Sequence, residues 1–482
     1  MRFGFEHSYA ALPARLHTRV APTSVAAPQL VVYNAPLAED LGLRLAGAEA
    51  AAIFSGNTPP EDANLLAMAY AGHQFGVFVP SLGDGRAVLL GELRGRDGIL
   101  RDVQLKGSGR TPFSRNGDGR AALGPMLREY LLSEAMHALG IPTTRSLAVV
   151  ATGERVYREE PLPGAVLTRV AQSHIRVGTF QYFAARGDQE AVRALLDYVI
   201  ARHYPDLREA AVPALALLSA VTQRQAALIA EWLRVGFIHG VMNTDNMSVA
   251  GETIDYGPCA FMDHYDPRTV FSSIDHGGRY AYANQAVIAQ WNLARLAETL
   301  LPFIDADEAR AVQQAREVLD PFVADVDGHF LTGMRRRLGF STARPEDAAL
   351  VRQLLDVLQR AQADWTLTLR ALADVAASPD AAPTGELPGE LGPWLQAWRA
   401  RLAEDPLTPA ERARGMRALS PAYIPRNHRV QAALDAAEAG DYQPFHTLLS
   451  VVQRPYDEQP DRRAYRCPPR PEERVLQTFC GT

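Results

Sequence analysis

Residues 236–258 read GFIHGVMNTDNMSVAGETIDYGP and hold four side chains able to bind a metal or move a proton: His239, Asp245, Asn246 and Asp255. Apolar runs bounded by turn formers predict a helix end, a polar loop, a strand over 247–249, a turn over 250–252 and a second strand ending on Asp255. That hairpin would carry all four side chains to one edge. An Asn and an Asp held this way are hard oxygen ligands suited to Mg²⁺, which usually completes its shell with water and phosphate oxygens.

A count singles out another position. Lys and Arg total 49, and Lys106 is the only lysine. A chain that uses arginine for generic positive charge keeps a lysine where a compact ammonium on a flexible stem is needed. Upstream, apolar runs over 77–80, 87–93 and 101–106 predict a three-stranded antiparallel meander, with Gly83-Asp84-Gly85-Arg86 turning between the first two. Backbone amides of such a turn can approach a phosphate closely. After Lys106 comes a Gly-rich basic loop containing Asp118 and Gly119, and residues 101–128 hold six cations against two acids. That excess suggests an anion site, with a solvated loop as the alternative. A helix over 121–139 brings Glu129 or Glu134 towards Lys106, and Glu129 is preferred. Strands over 147–152 and 165–170 then deliver Arg169, with Arg176 in the loop beyond.

The frame around the metal-type residues is similar to that of protein kinases, in which His-x-Asp-x-x-x-x-Asn precedes Asp-Phe-Gly, and a strand lysine contacts nucleotide phosphates. Here His239 to Asn246 fills the frame and Asp255-Tyr256-Gly257 follows, but Val241 stands where the catalytic Asp belongs. A kinase uses that Asp to accept the proton of the attacking hydroxyl; a valine cannot. Either the chain only binds nucleotide, or its chemistry occurs at another phosphorus with another base. Asp245 is the candidate base, and a loop-capping Asp is the bland reading of the same residue.

Length and composition set the bounds. The 482 residues, 47% hydrophobic and 22% charged, describe a soluble globular chain with a large core. A net charge of −6 argues against nucleic acid or an anionic membrane as the main partner. No run is long and apolar enough to span a bilayer, and the N-terminus lacks a signal-peptide pattern, so a cytoplasmic location is expected. Cys259, Cys467 and Cys480 make neither a disulfide framework nor a zinc site. The expected organisation is α+β: an N-terminal extension (1–75) packed on a kinase-like core, a nucleotide-binding lobe of mixed antiparallel sheet (76–180), and a mainly helical lobe (181–375) carrying the metal loop 239–257. A linker and C-terminal helical region (376–482) end in a loop-like tail.

The strings GNTPPEDA, AYAGHQFG, LGDGRA, QLKGSGRTPFSR, GDGRA, HGVMNTDNMS, IDYGPCAFMD and RYAYANQ resemble the selenoprotein O family of protein adenylyltransferases, atypical pseudokinases, over nearly the whole chain. The resemblance implies a bilobal kinase-like fold that binds ATP reversed, with the α-phosphate placed for transfer. It implies attachment of AMP, or UMP from UTP, to Ser, Thr or Tyr hydroxyls of proteins with release of pyrophosphate. On matching positions, Gly83, Gly85, Arg86, Lys106, Asp118, Gly119, Arg169, Arg176 and Asp255 would contact nucleotide. Asn246 and Asp255 would hold Mg²⁺ or Mn²⁺, Asp245 would accept the proton, and Glu129 would pair with Lys106. The family's C-terminal Cys or selenocysteine falls on Cys480, and a regulatory disulfide with Cys259 would follow. A monomer is expected. The competing readings are a non-catalytic ATP-binding regulator and a conventional kinase.

Overall fold

The structure, a computed structural model, describes residues 1–378 and 387–479. The N-terminal part contributes β1 (His17–Arg19), β2 (Gln29–Tyr33) and β3 (Leu66–Met68), with helices α1 (Ala35–Asp40) and α2 (Gly47–Phe54) between the last two. A short ribbon of β4 (Gly72–Gln74) and β5 (Val77–Val79) leads to β6 (Ala87–Arg94) and β7 (Leu100–Lys106). Two-residue β8 (Ala121–Ala122) and α3 (Leu123–Ala138) precede the long hairpin β9 (Arg145–Tyr157) and β10 (Pro161–Ala171). One antiparallel sheet takes the order β1-β3-β6-β7-β10-β9-β2, with β8 attached to β10.

Alternation decides what each face of this sheet carries. On β7, Val103 and Leu105 enter an apolar cluster with Phe54, Leu90, Val150 and Val166, beneath α1 and α2. Each such side chain contributes roughly 1.5–3 kcal/mol by leaving water. Asp102, Gln104 and Lys106, offset by one residue, point to the other face. Register places Arg169 of β10 directly across from Gln104, so the two share that face.

Three expectations are corrected here. The run over 77–80 does not open a meander: β5 pairs with β4 outside the main sheet, and β6 takes β3 as its second neighbour. Residues 1–75 are woven into the sheet, supplying β1, β2 and β3. The expected boundary at 75/76 falls inside a two-residue hairpin turn, where Phe75 (φ 52°) and Gly76 (φ 83°) both take the left-handed conformation that matches strand twist. Local periodicity finds a strand but not its partner.

Helices α4 (Val177–Ala184), α5 (Gln189–His203) and α6 (Pro213–Val235) follow, and α6 is stopped by Gly236 in the left-handed conformation (φ 76°). The loop beyond is not the expected hairpin. Its ends are clasped by β11 (Phe237–Ile238) and β12 (Ala260–Phe261), Thr244–Asn246 forms a 3₁₀ turn, and the rest is pinned by single bridges, Arg176 with Ser248 and Thr143 with Thr253. Met247, Val249 and Ile254 are apolar because they are buried, not because they pair as strands. Helices α7 (Gln285–Ile304), α8 (Glu308–Leu319), α9 (Phe322–Arg337), α10 (Asp347–Arg360) and α11 (Trp365–Ala377) build the second half of the core.

Residues 379–386 of the expected linker lie outside the described residues. Beyond it come α12 (Gly392–Ala403), α13 (Pro409–Leu419), α14 (Asn427–Glu438) and α15 (Gln443–Val452). The last two return to the sheet, packing Leu434, Phe445 and Leu448 against Leu127 and Leu131 of α3. The tail is mostly irregular, with 3₁₀ turns at Pro460–Tyr465 and Pro471–Glu473. It ends with Thr478 donating its N–H to Phe271 O at 2.7 Å. Among the described residues, no helix is long and apolar enough to cross a membrane.

Glu134, the other acid of α3, is fully engaged away from Lys106. It accepts from Arg145 (2.8 and 2.7 Å), Asn34 Nδ2 (2.8 Å) and the Ser146 N–H (3.1 Å). Glu134→Ala leaves a part-buried guanidinium and a buried amide without their acceptor. It is expected to lower stability by about 3–5 kcal/mol, read as a fall in Tm.

Candidate active site

β7, β10, α3 and the loop after α6 converge on one cleft of about 330 Å³. Lys106 at the end of β7 donates to Glu129 Oε2 of α3 at 2.6 Å and to Asp255 Oδ1 at 2.8 Å. Arg169 donates to Asp255 Oδ1 at 2.5 Å and to Gln104 Oε1 at 2.5 Å. Arg176 donates to Asp255 Oδ2 and, at 2.7 Å, to the Asp245 carbonyl. Three cations thus meet on one carboxylate. Burial pushes the Asp255 carboxyl up, but Arg176, Lys106 and Arg169 outweigh it and hold the group well below the usual carboxylate range. Asp255 also has φ 62°, a left-handed conformation that costs a non-glycine residue on the order of 1 kcal/mol.

Asp245 sits beside this cluster in the 3₁₀ turn. Its Oδ1 is buried with no hydrogen-bond partner, and its Oδ2 accepts a long 3.4 Å bond from Gln74 Nε2. A Cβ on Gly72 would fall 2.3 Å from Oδ1, so only glycine lets the carboxylate lie over β4. Burial pushes Asp245 up to about 6, with Arg176 opposing and Asp255 adding to the rise. Asn246 donates Nδ2 to the Val241 carbonyl at 2.9 Å, which turns its amide oxygen the other way. Val241 itself lines the cleft.

The remaining sequence-predicted residues line the same space: Gly83, Gly85, Arg86, Asp118 and Gly119. A Cβ on Gly83 (φ 47°) would meet the Phe113 ring at 2.2 Å, which closes the turn against the basic loop. Asp118 is tied to Arg158 (2.9 and 3.1 Å) and caps the Arg120 N–H (2.9 Å). One expectation parts from this picture, and one lies outside the described residues. His239 is buried away from the cleft, its Nε2 2.9 Å from the Ile254 carbonyl, so its role is to hold the loop. Cys259 is buried, and Cys480 lies outside the described residues, as does any pairing between them.

Sequence reasoning missed Asp84, Gln104, Gln74 and Arg158. Asp84 is buried, accepts from the Met68 N–H (3.0 Å) and Gln104 Nε2 (2.9 Å), and is pushed by burial up to about 6. Gln104 was within reach of the alternation argument, lying two residues before Lys106 on one strand face. Asp84 and Gln74 were hidden inside strings that read as turns.

A sequence profile described as "Protein adenylyltransferase SelO" matches residues 1–453. The chain belongs to the SelO family. Curated relatives named "Protein nucleotidyltransferase YdiU" agree. One from Bradyrhizobium sp. (strain ORS 278) is 62% identical, covering 100% of both chains. Others from Rhizobium etli (61%, 100% of this chain and 97% of that one) and Rhizobium meliloti (60%, 100% and 99%) are similar throughout. The chain is accordingly an enzyme of the protein nucleotidyltransferase class, with a nucleotide as one substrate. Val241, Asp245 and Asp255 line the same cleft, with the Asp255 charge acting on Asp245.

The donor set also suits a divalent cation. Asn246 and Asp255 offer hard oxygens beside the unpartnered Asp245 Oδ1. Among the described residues no cluster of three or more His, Cys, Asp or Glu could hold a metal ion by itself.

Behind the loop, Glu252 is buried, accepts from the Gln172 N–H at 2.9 Å, and is pushed by burial up to about 8. The folded chain therefore holds this proton to higher pH than the unfolded chain. The stability Glu252 contributes is full below its unfolded value and is lost as pH rises towards 8. Glu252→Gln keeps an acceptor for Gln172 without the charge. Its Tm is expected to gain on wild type between about pH 5 and pH 9, in melts run across that range.

Proposed function

We propose that the chain transfers AMP from ATP, or UMP from UTP, to Ser, Thr or Tyr hydroxyls of proteins. The observation that carries this reading is a buried carboxylate, Asp245, with one oxygen unpartnered, beside three cations gathered on Asp255 in an arginine-lined cleft. The acceptor hydroxyl gives its proton to Asp245 as its oxygen bonds to the α-phosphorus. The bond from that phosphorus to the bridging oxygen breaks, and the electron pair leaves with pyrophosphate. Arg169, Arg176 and Lys106 bind the polyphosphate and offset charge growing on it, and Arg86 and Asp118–Arg158 bound the far side. Glu129 and Gln104 hold Lys106 and Arg169 in place. Asn246 and Asp255 would hold Mg²⁺ or Mn²⁺, which neutralises phosphate charge and orients the leaving group when bound.

On this reading the sheet with α3 is the nucleotide-binding lobe of a bilobal kinase-like fold, the helices from α4 onward are the second lobe, and the protein acts as a cytoplasmic monomer. The test is product analysis by phosphorus-31 NMR with an acceptor protein present. The expected small-molecule product is pyrophosphate, formed in proportion to modified acceptor; ADP in that proportion would mean a kinase.

A further inference from the structure

Beyond the nucleotide, the β4–β5 ribbon and the segment before α7 form a surface beside Asp245. Ribbon β4 leans on the loop after α6: the His73 N–H donates to Thr244 Oγ1 at 2.7 Å and the Phe75 N–H to Asn243 Oδ1 at 3.1 Å. His73 and Phe75 thus point their backbone away from β5, and in the antiparallel register His73 faces Phe78. The N–H and C=O of Phe78 therefore point outward along the edge of β5 that pairs with no strand among the described residues. Next to that edge Val77 is 69% exposed.

A cation completes the surface. Arg279 lies over the Trp291 ring at 5.0 Å and 3.7 Å from where a Cβ on Gly76 would sit, at the turn of the ribbon. Its Nε is buried with no hydrogen-bond partner; the side chain meets the Tyr280 hydroxyl, and among the described residues no carboxylate lies within ion-pair distance of it. Asp275, four residues earlier, is engaged instead by the backbone N–H groups of Arg279 (2.9 Å) and Tyr280 (2.8 Å).

From these features we infer that the protein acceptor docks here as an extended segment along β5, with an acidic side chain on Arg279. Its backbone pairs with Phe78, an apolar side chain meets Val77, and its hydroxyl residue reaches Asp245. An edge strand beside a guanidinium lacking a counter-ion fits an acidic peptide and disfavours a basic one. This rests on the transfer reading above.

The test uses arrayed peptides with one central Ser, Thr or Tyr in an alanine frame, an Asp walked through the flanks, and ATP labelled at the α-phosphate. Wild type is expected to label peptides with the acid at one fixed spacing roughly fivefold better than the all-alanine frame. Arg279→Ala should erase that preference and Arg279→Glu should shift it to peptides carrying Arg. Val77→Asp, on an exposed position that cannot disturb the core, should weaken labelling of the acidic peptides. The ATP-induced rise in Tm should persist in every variant, which reports an intact fold. An acidic preference unchanged in Arg279→Ala, or labelling with no flank preference in wild type, would overturn the docking surface alone. Labelling of no peptide or protein by wild type would overturn the transfer reading beneath it.

Discussion

Asp255→Ala is expected to abolish transfer and to destabilise the protein in the same stroke. Lys106, Arg169 and Arg176 are all buried, and Asp255 takes a hydrogen bond from each of them. Without it, Glu129 keeps Lys106 at 2.6 Å and Arg169 at 3.5 Å, while Arg176 loses its carboxylate ion pair and is left with the more distant charges of Asp84 and Asp245. Removing one side of a buried ion cluster costs about 3–5 kcal/mol, because uncompensated charge stays behind. Thermal melts should show a large drop. Adding Arg176→Ala should restore part of it, since the pair is coupled and the double variant should be more stable than the sum of the single losses by about 0.5–3 kcal/mol. Strict additivity would mean that the cluster does not act as a unit.

Asp245→Asn should separate chemistry from architecture. The amide keeps the shape over Gly72 and can still meet Gln74, but it cannot take a proton. Loss of a general base lowers kcat by about 10²–10⁴-fold. KM for ATP and the Tm should move little, and Tm is expected to hold or rise because a buried carboxylate lacking a full set of partners has been neutralised. A fall in KM-governed binding with kcat intact would assign Asp245 to nucleotide positioning instead.

Much of this site could be read from residue types alone. A strand ending in the chain's single lysine, followed by a helix with an acid in its second turn, predicts the Lys106–Glu129 approach, because both elements have fixed periods. The metal-type loop was harder. Its apolar residues alternate as a strand would, yet Val249 and Ile254 are drawn into the protein interior, and the backbone is held by side chains such as His239 instead of by ladder bonds. The N-terminal strands were invisible as part of the sheet because β1 to β3 pair across gaps in sequence that no local pattern spans. The same limit hid Gln74 and Arg279, whose meaning depends on a ribbon folding back onto a loop about 170 residues away.

The most direct test of the account is to incubate the protein and an acceptor with ATP labelled at either the α- or the γ-phosphate, with Asp245→Asn in parallel. The cleft predicts label in protein from the α-position only, and its loss in the variant. Label from the γ-position would contradict the account and return the chain to kinase chemistry despite Val241.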